Sequence, residues 1–347
     1  MRMSREEMVL YLYHYHDSYT LENPLYKTTV IAFMNEMLGE DLSEVGCITA
    51  RAIFSGSDKG EAVIRAKEPG ILAGLREVTL LLDNYREYVS YQIATREGRD
   101  LKDGDSLAGK KEPILFLKGH IITILEIERT ILNILQRMSG IATEVYRLQQ
   151  FIYDSGSKSR LAATRKLQWG RLDKKAFIVG GGLSHRRGLY DAMMIKDTEI
   201  DFLNYVPGAK TADDPAECRM DWILNSIRKC WDERDYSMGI IVEVQTQKEA
   251  LMVAQVLKSL QGEGYYPCSI MLDNFTPEEI TETMEKAKEQ GTFDFTLFES
   301  SGNIHAEKVR EYAKTNVDVI SVGRPTHSTD VLDIHMVVKK DGMEGGR

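Results

Sequence analysis

The sequence predicts an α/β protein, and three features of the chain lead to this prediction. In the second half, short apolar runs rich in β-branched residues alternate with segments of helical spacing, in successive units of roughly 25–30 residues. Strands that alternate with helices imply a parallel sheet, in a barrel or in a doubly wound arrangement. The first part of the chain instead reads as short strands separated by turns, and a long helical stripe lies between the two parts.

The predicted strands of the second half lie at 160–166, 238–246, 266–274, 293–302 and 316–325. The segments between them have helical spacing, and one begins with Thr276 as the expected N-cap and Pro277 in the first turn.

In the first part, segments 63–83, 88–111 and 112–125 are predicted to form an antiparallel sheet with a few helices, with turn signals at 68–70 and 102–105. The intervening helix is predicted from apolar residues at 124, 127, 131, 134, 135, 138 and 141.

Composition excludes several classes of protein. The formal net charge of −9 argues against duplex DNA as a partner. No apolar run approaches the roughly 18 residues of a membrane span, and the first residues lack the pattern of a signal peptide. The cysteines are widely spaced without a CxxC pair, which predicts reduced thiols in a cytoplasmic protein.

A cationic segment stands out in this acidic chain. From Arg165 to Lys196, eight Lys or Arg and two Asp give +6, so the rest of the chain carries −15. Such a concentration of charge favours a site for a small, multiply charged anion over a nucleic-acid surface. The glycine run at 180–182 would let backbone approach a ligand closely.

Polar residues follow the predicted strands of the second half, and they include Glu243, Asp273, Ser301 and Gly323. In α/β barrels, the loops at the carboxyl ends of the strands form the active site. Turn residues also collect where strands end, but that explains Glu243 poorly because it lies between valines. Two carboxylates facing several cations suggest Mg²⁺ beside a phosphorylated substrate and an anionic second substrate.

Residues 128–143 read ERTILNILQRMSGIAT and resemble the ERTxLNxLQRxSGIAT helix of the quinolinate phosphoribosyltransferase family, the carboxylating nicotinate-nucleotide pyrophosphorylases. The other segments that resemble the family follow in order at 68–75, 164–166, 180–197, 242–244, 272–274, 299–304 and 322–328. The resemblance implies an incomplete α/β barrel at 139–323 and an N-terminal α+β open sandwich at 1–138, which 324–347 rejoins.

The resemblance also implies an activity, in which a pyridine carboxylate (quinolinate) and phosphoribosyl pyrophosphate give nicotinate mononucleotide, pyrophosphate and CO₂ in NAD biosynthesis. Loss of pyrophosphate requires positioning and charge stabilisation more than a nucleophile. By resemblance, Lys166, Lys196, Glu243 and Asp273 are catalytic, and the two carboxylates hold Mg²⁺ with the substrate. The implied substrate-binding residues are Arg129, Arg165, His185 and Arg186, and for the 5′-phosphate Ser301, Gly302, Asn303, Gly323 and Arg324.

Arg129 is implied to reach the partner's site, so a homodimer with shared sites is expected, with further assembly left open. No nucleic-acid or membrane partner is expected. Arg171, Lys174, Lys175 and Arg187 are expected to be surface charges, with Arg187 and Asp191 as a candidate surface ion pair.

The chain departs from the family pattern at Ala163, Leu167, Ser184, Thr198 and Glu199, at Cys47 in the N-terminal domain, and in a longer segment at 201–238. An added carboxylate near a dianion pocket is unfavourable unless it is paired or turned away. The alternatives are therefore nicotinate or another aromatic acid as substrate, a ModD-like role associated with molybdenum transport, or a non-catalytic phosphosugar-binding protein.

Overall fold

The computed structural model describes residues 3–203, 215–261 and 266–340. The chain divides into two compact units. We call one the barrel unit, formed by Met1–Tyr15, Arg147–Lys166 and Gly182–Arg324. The other, the sandwich unit, is formed by His16–Tyr146, Leu167–Gly181 and Pro325–Arg347. The division thus groups the first fifteen residues with the barrel, whereas the sequence predicts them in the N-terminal domain.

The described strands are β1 Lys59–Ala66, β2 Pro69–Ile71, β3 Val89–Ile93, β4 Thr95–Arg96, β5 Arg99–Asp100, β6 Ser106–Ala108, β7 Glu112–His120, β8 Arg160–Ala163, β9 Met193–Ile195, β10 Ile240–Val244, β11 Cys268–Asp273, β12 Leu297–Ser301, β13 Val319–Val322 and β14 Ile334–Lys340. The described α-helices are α1 Arg5–Tyr13, α2 Pro24–Leu42, α3 Ile48–Ile53, α4 Leu75–Asp83, α5 Ile121–Asp154, α6 Arg171–Val179, α7 Asp197–Leu203, α8 Pro215–Asp232, α9 Gln247–Leu260, α10 Pro277–Glu289, α11 Val309–Lys314 and α12 Arg324–His327.

The barrel unit contains a six-stranded parallel sheet in the order β8-β13-β12-β11-β10-β9. Its last strand in the chain, β13, pairs with its first, β8, and a parallel bridge between Ala162 and Leu183 adds one further segment beside β8. The ring is open between that segment and the edge strand β9. This confirms the expected α/β barrel and its incompleteness.

Helix α1 packs into the apolar interior of the barrel unit. Its buried residues Met8, Val9, Leu12 and Tyr13 belong to one core cluster with the strand residues Ala162, Ile241, Met271, Leu297 and Val319. The helix begins with a capping box between Ser4 and Glu7, and Arg5 forms an ion pair with Asp318. The N-terminal helix is therefore an integral part of the barrel core.

The sandwich unit has an antiparallel sheet in the order β14-β1-β7-β3. Helix α5 shows the predicted apolar stripe, since Ile124, Ile127, Ile131, Ile134, Leu135, Met138 and Ile141 are all 0% exposed. Residues 75–83, expected among the short strands, form helix α4. Its buried Leu75, Val78, Leu81 and Leu82 recur at the three- and four-residue spacing of a helix.

Lys174 and Lys175 are also wrongly predicted, because they are buried in α6 and only 1% and 7% exposed. Burial and the charge of Glu77 raise the pKa of Asp103 to about 7, and the Lys175 ammonium opposes this rise. The candidate surface pair of Arg187 and Asp191 does form, at 3.3 Å, but the Asp191 side chain is fully buried.

The segment at 201–238 contains α8 and a short 3₁₀ helix at Arg234–Tyr236, while residues 204–214 lie outside the described part of the chain. The four cysteines are free thiols, as predicted. Within the described residues, every helix is too short or too polar to cross a membrane.

Candidate active site

The carboxyl ends of the parallel strands bring several predicted site residues to one edge of the barrel unit. Glu243 lies in β10 beside Met271 of β11, and Asp273 at the end of β11 lies beside Ser301 of β12. Lys196 directly follows β9, and Lys166 lies three residues after β8. Because parallel strands end at the same edge, the topology juxtaposes these cations and carboxylates.

Glu243 and Lys196, two of the predicted catalytic residues, form a pair of opposite charge. The Lys196 Nζ atom lies 4.0 Å from Oε2 of Glu243. Burial raises the pKa of Glu243, Lys196 opposes the rise, and the carboxylates of Asp273 and Asp197 add to it. The lysine thus faces a group of acids that the protein has desolvated and brought together.

Asp273 has a similar environment. Burial and the charge of Asp197 raise its pKa, whereas a hydrogen bond from Asn274 and the charges of Lys196 and Lys166 lower it. Both predicted lysines therefore act on this carboxylate. Asp197 joins the cluster without having been predicted, and its only sequence signal was its place directly after Lys196.

Arg165 and Arg186 supply the predicted guanidinium groups. Arg186 is 7% exposed, and its Nη1 donates to the carbonyl oxygen of Ala192 at 3.3 Å. Burial and the positive charge of Arg165 lower its pKa, although its ordinary value leaves it cationic at neutral pH. Two guanidinium groups that repel each other in this way would both gain from a bound polycarboxylate.

The imidazole of His185 is held between protein groups. Its Nδ1 accepts a hydrogen bond from the backbone N–H of Arg186 at 2.6 Å, so Nε2 carries the proton and donates to Oε1 of Glu299 at 3.0 Å. The residue adopts a left-handed backbone with φ of 55°. The predicted contact of His185 with the substrate stays a prediction, since both ring nitrogens have partners within the protein.

Glu299 is a functional candidate that sequence reasoning left outside the site. It is fully buried in β12 and accepts hydrogen bonds from His185, from Ser321 and from the Tyr13 hydroxyl, the last at 2.7 Å. Burial raises its pKa, but attraction to His185 and these hydrogen bonds outweigh burial and the net pKa is lowered. Its sequence signal was a carboxylate at a strand end, directly before Ser300-Ser301-Gly302.

The predicted phosphate loop is organised by Asn274. Its backbone N–H donates to the Ser301 carbonyl at 2.9 Å, and its side-chain Oδ1 accepts from Asn303 at 3.1 Å. Gly302 has φ of +91°, and a Cβ there would lie 2.3 Å from the same Asn274 oxygen. A larger residue at 302 would therefore break the link between the loop and the carboxylate of Asp273, to which Asn274 donates at 2.7 Å.

Gly323 lies directly after β13, beside these loops, and Arg324 begins α12 with an exposed side chain. Arg129 is exposed on α5 in the sandwich unit, whereas the other predicted site residues belong to the barrel unit.

The departures from the family pattern have local explanations at two positions. Glu199 accepts hydrogen bonds from the backbone N–H of Lys196 at 3.1 Å and from the Thr198 hydroxyl at 3.2 Å, so its carboxylate is paired within the first turn of α7. Ser184 donates to the Tyr13 carbonyl and accepts from the Tyr15 N–H, both at 3.0 Å. It therefore fastens the His185 segment to the end of α1.

The fold and this edge together define a class: an α/β-barrel enzyme with a site for a phosphorylated, anionic substrate. Sequence profiles of known families make the assignment specific. The profile of the quinolinate phosphoribosyl transferase C-terminal domain matches residues 141–337, and that of the N-terminal domain matches residues 48–139.

Individual relatives agree. The chain is 31% identical over 296 residues to a probable carboxylating nicotinate-nucleotide pyrophosphorylase of Methanothermobacter thermautotrophicus, covering 84% of this chain and 93% of the relative. It is 32% identical over 320 residues to the chloroplastic nicotinate-nucleotide pyrophosphorylase (carboxylating) of Arabidopsis thaliana, covering 89% of this chain and 83% of the relative. The solved nicotinate-nucleotide pyrophosphorylase of Francisella tularensis superposes with a TM-score of 0.73 at 27% identity, over 90% of this chain and 96% of that one.

The chain belongs to the quinolinate phosphoribosyltransferase family. This confirms the family expected from the sequence and, with it, an enzyme of the phosphoribosyltransferase class.

Proposed function

We propose that the protein joins the ring nitrogen of quinolinate to C1 of phosphoribosyl pyrophosphate, giving nicotinate mononucleotide, pyrophosphate and CO₂ for NAD biosynthesis. The names of the relatives support this reaction. The observation that carries it is the meeting of Lys166 and Lys196 with Glu243 and Asp273 at the barrel edge that also holds Arg165 and Arg186. At that edge, the cations would bind the two anionic substrates, quinolinate and phosphoribosyl pyrophosphate. The carboxylates would stabilise the positive charge that develops at C1 of the ribose.

The cationic side would receive the pyridine dicarboxylate. Arg165 and Arg186 suit planar carboxylates because a guanidinium presents two parallel donors. His185 fixes the backbone of Arg186 through their hydrogen bond, and the resemblance assigns it a carboxylate contact as well. Lys166 and Lys196 lie where they can face both the dicarboxylate and the pyrophosphate of the donor.

The acidic side would hold the ribose and Mg²⁺. Glu243 and Asp273 supply hard oxygen ligands on adjacent strands, and their raised pKa values show that an added cation would relieve unfavourable charge. Within the described residues no three His, Cys, Asp or Glu side chains form a metal-binding group. Since Mg²⁺ commonly combines one or two carboxylates with substrate phosphates, this pair fits a metal that arrives with the donor. When bound, Mg²⁺ would neutralise charge on the departing pyrophosphate.

The phosphate loop would seat the 5′-phosphate of the donor. Asn274 is hydrogen-bonded to the Ser301 carbonyl and to the Asn303 side chain, a Cβ at Gly302 would lie 2.3 Å from the Asn274 side-chain oxygen, and Gly323 directly follows β13. Arg324 would add a positive charge at this end. Binding at the phosphate fixes C1 of the ribose relative to the pyridine nitrogen, which lowers the entropic part of the barrier.

The chemical step follows from this arrangement. As the C1–O bond to pyrophosphate breaks, positive charge develops at C1 and the ribose oxygen, close to Glu243 and Asp273, while the lysines meet the charge on the leaving group. The pyridine nitrogen forms the new bond to C1 and becomes cationic. When CO₂ leaves the adjacent ring carbon, the electron pair of the broken C–C bond stays on that carbon, where the positive charge of the neighbouring nitrogen stabilises it until a proton takes the place of the carboxylate.

The resemblance also supports a homodimer in which Arg129 of one subunit completes the site of its partner. Its exposed position on α5 leaves the Arg129 side chain accessible to a partner chain. A cytoplasmic location stays a prediction from the sequence.

The reaction is tested by incubating the protein with phosphoribosyl pyrophosphate, Mg²⁺ and either quinolinate or nicotinate, and by following mononucleotide and pyrophosphate. We expect product with quinolinate. If only nicotinate gave product, phosphoribosyl transfer would be supported, and nicotinate would replace quinolinate as the ring substrate. Binding of the donor without product from either acid would favour a phosphosugar-binding protein and contradict the proposal.

The residue roles are tested by Lys166→Ala and Arg186→Ala, each expected to lower kcat/KM by about 10³-fold or more because charge stabilisation is the main source of rate. Lys248→Ala, an exposed lysine on α9, is the matched control and should leave kcat/KM unchanged. Near-normal rates in either variant would remove that residue from the site.

A further inference from the structure

A second group of cations in the barrel unit lines a cleft that shares only Arg324 with the residues of the proposed reaction. A cleft of about 590 Å³ is lined by the C-terminal part of α5, the segment leading into α11 and the first residue of α12. The charged and aromatic side chains that line this cationic cleft are Arg147, Phe151, His305, Glu307, Lys308, Arg310 and Arg324. Arg324 is the only one among them that the proposed reaction uses.

The side chains that line the cationic cleft carry more positive than negative charge. Four Arg or Lys and one Glu give a net +3 with His305 neutral. Within residues 3–203, 215–261 and 266–340, Lys308, Arg310 and Arg324 make no ion pair with a carboxylate. Like charges held near one another raise the free energy of the folded protein unless an anion joins them.

Phe151 holds two of these cations in place. The guanidinium carbon of Arg310 lies 5.1 Å from the centre of the Phe151 ring, and that of Arg147 lies 5.6 Å from it. Both distances are within the range of a cation–π interaction. Because the ring is carried by the long helix α5, the two guanidinium groups converge on a rigid support.

We propose that the cationic cleft binds a polyphosphate anion, either free pyrophosphate or the phosphate chain of a nucleotide. Its volume lies in the range of small-molecule sites. Guanidinium groups match phosphate oxygens in pairs, and a net +3 suits an anion of three or more negative charges better than a single carboxylate. The site extends the function beyond the transfer reaction, since its other cations have no place in that chemistry.

The test separates the cationic cleft from the catalytic edge. In Lys166→Ala, whose catalytic cation is removed, isothermal titration calorimetry with pyrophosphate, ATP and inorganic phosphate should still show one pyrophosphate site per subunit. Adding Lys308→Ala and Arg310→Ala should weaken that binding about 100-fold, because two charge-assisted contacts are lost. Lys314→Ala, an exposed lysine on the same helix, should leave it unchanged.

ATP binding at least as tight as pyrophosphate would point to a nucleotide, and pyrophosphate alone would point to the free anion; both support the site. The proposal is overturned by absence of binding in Lys166→Ala, by binding that the double substitution does not change, or by inorganic phosphate binding as tightly as pyrophosphate. Thermal unfolding without ligand checks that the double variant is folded. With pyrophosphate added, the midpoint of thermal unfolding should rise only when the cationic cleft is intact. These outcomes do not depend on transferase activity, so failure of the proposed reaction would be seen separately.

Discussion

At the residue scale, Glu299 connects the interior of the barrel to the cationic side of the candidate site. Its carboxylate receives hydrogen bonds from Tyr13, His185 and Ser321, and His185 in turn accepts the backbone N–H of Arg186. A buried carboxylate is tolerated only when such partners satisfy it. The same bonds fix His185 in its left-handed conformation, so Glu299 is a positioning residue for the guanidinium that the proposed reaction needs.

We expect Glu299→Gln to destabilise the protein by about 1–3 kcal/mol at pH 7, since an amide group leaves part of this buried network unsatisfied. It should also lower kcat/KM with quinolinate, and Glu289→Gln, an exposed acid on α10, should change neither quantity. Urea unfolding and steady-state kinetics measure the two effects. An unchanged unfolding midpoint would show that the network contributes nothing to stability.

The pH dependence of that stability has a definite sign. The folded-state pKa of Glu299 is lowered below its ordinary value of about 4.3. Its stabilising contribution is therefore complete above that value and is lost as the pH falls through the lower, folded-state pKa. The stability difference between the wild type and Glu299→Gln should shrink as the pH falls below about 4.

The residues that sequence reasoning found and missed differ in a physical way. Lys166, Lys196, Glu243 and Asp273 carry charges next to strand ends, where the sequence predicts a site. Their distances and environments depend on strand register, which single-sequence patterns do not specify.

Contacts between residues far apart in the chain could not be predicted either, because they leave no local sequence pattern. Tyr13 meets Glu299 across 286 positions in the chain, and no local pattern marks that pair. Lys174 and Lys175 resemble solvated charges in sequence, but tertiary packing buries them.

At the element scale, α1 determines how the interior of the barrel unit is filled. Leu12 and Tyr13 are 0% exposed and pack in the core cluster with strand residues, while Leu10 on the same helix is 38% exposed. The helix also positions Tyr13 for Glu299 and, through its end, the Ser184 hydroxyl. The packing of α1 in the core therefore also holds Glu299 and Ser184, which position the candidate site.

We expect Leu12→Ala to destabilise the protein by about 2–5 kcal/mol, the range for removing a fully buried leucine side chain. Leu10→Ala is the matched control and should cost about 1 kcal/mol or less, because its side chain already contacts solvent. Both values come from urea unfolding at one pH. Equal effects of the two substitutions would contradict the placement of α1 in the core.

Elements were predictable where periodicity was strong. The stripe of α5 and the N-cap of α10 at Thr276, followed by Pro277, were predicted correctly from the sequence, and the structure adds a capping box between Thr276 and Glu279. Helix α4 was missed because its apolar residues follow the β-branched run of β1 and the EPG turn, which together suggest strands. A short apolar segment fits both the two-residue repeat of a strand and the 3.6-residue repeat of a helix. In α4, only the burial of one face in the structure distinguished the two.

At the scale of the whole molecule, the predicted site residues are divided between the two units. The barrel unit brings together the cations, the carboxylates and the phosphate loop, and Arg129 belongs to the sandwich unit. From the resemblance to the family we propose that this arginine acts in a partner's site. A symmetric dimer would then contain two identical composite sites.

Mixing two inactive variants tests this arrangement. Arg129→Ala and Lys196→Ala should each be inactive alone, because each lacks one cation in both sites. After subunit exchange at equal concentrations, about half of the dimers are hybrids, and each hybrid has one site with both residues intact, so about one quarter of wild-type activity should return. The activity of the mixture is measured, and differently tagged subunits show how much hybrid dimer has formed. Hybrids that form and stay inactive would show that Arg129 acts within its own subunit or outside the site altogether.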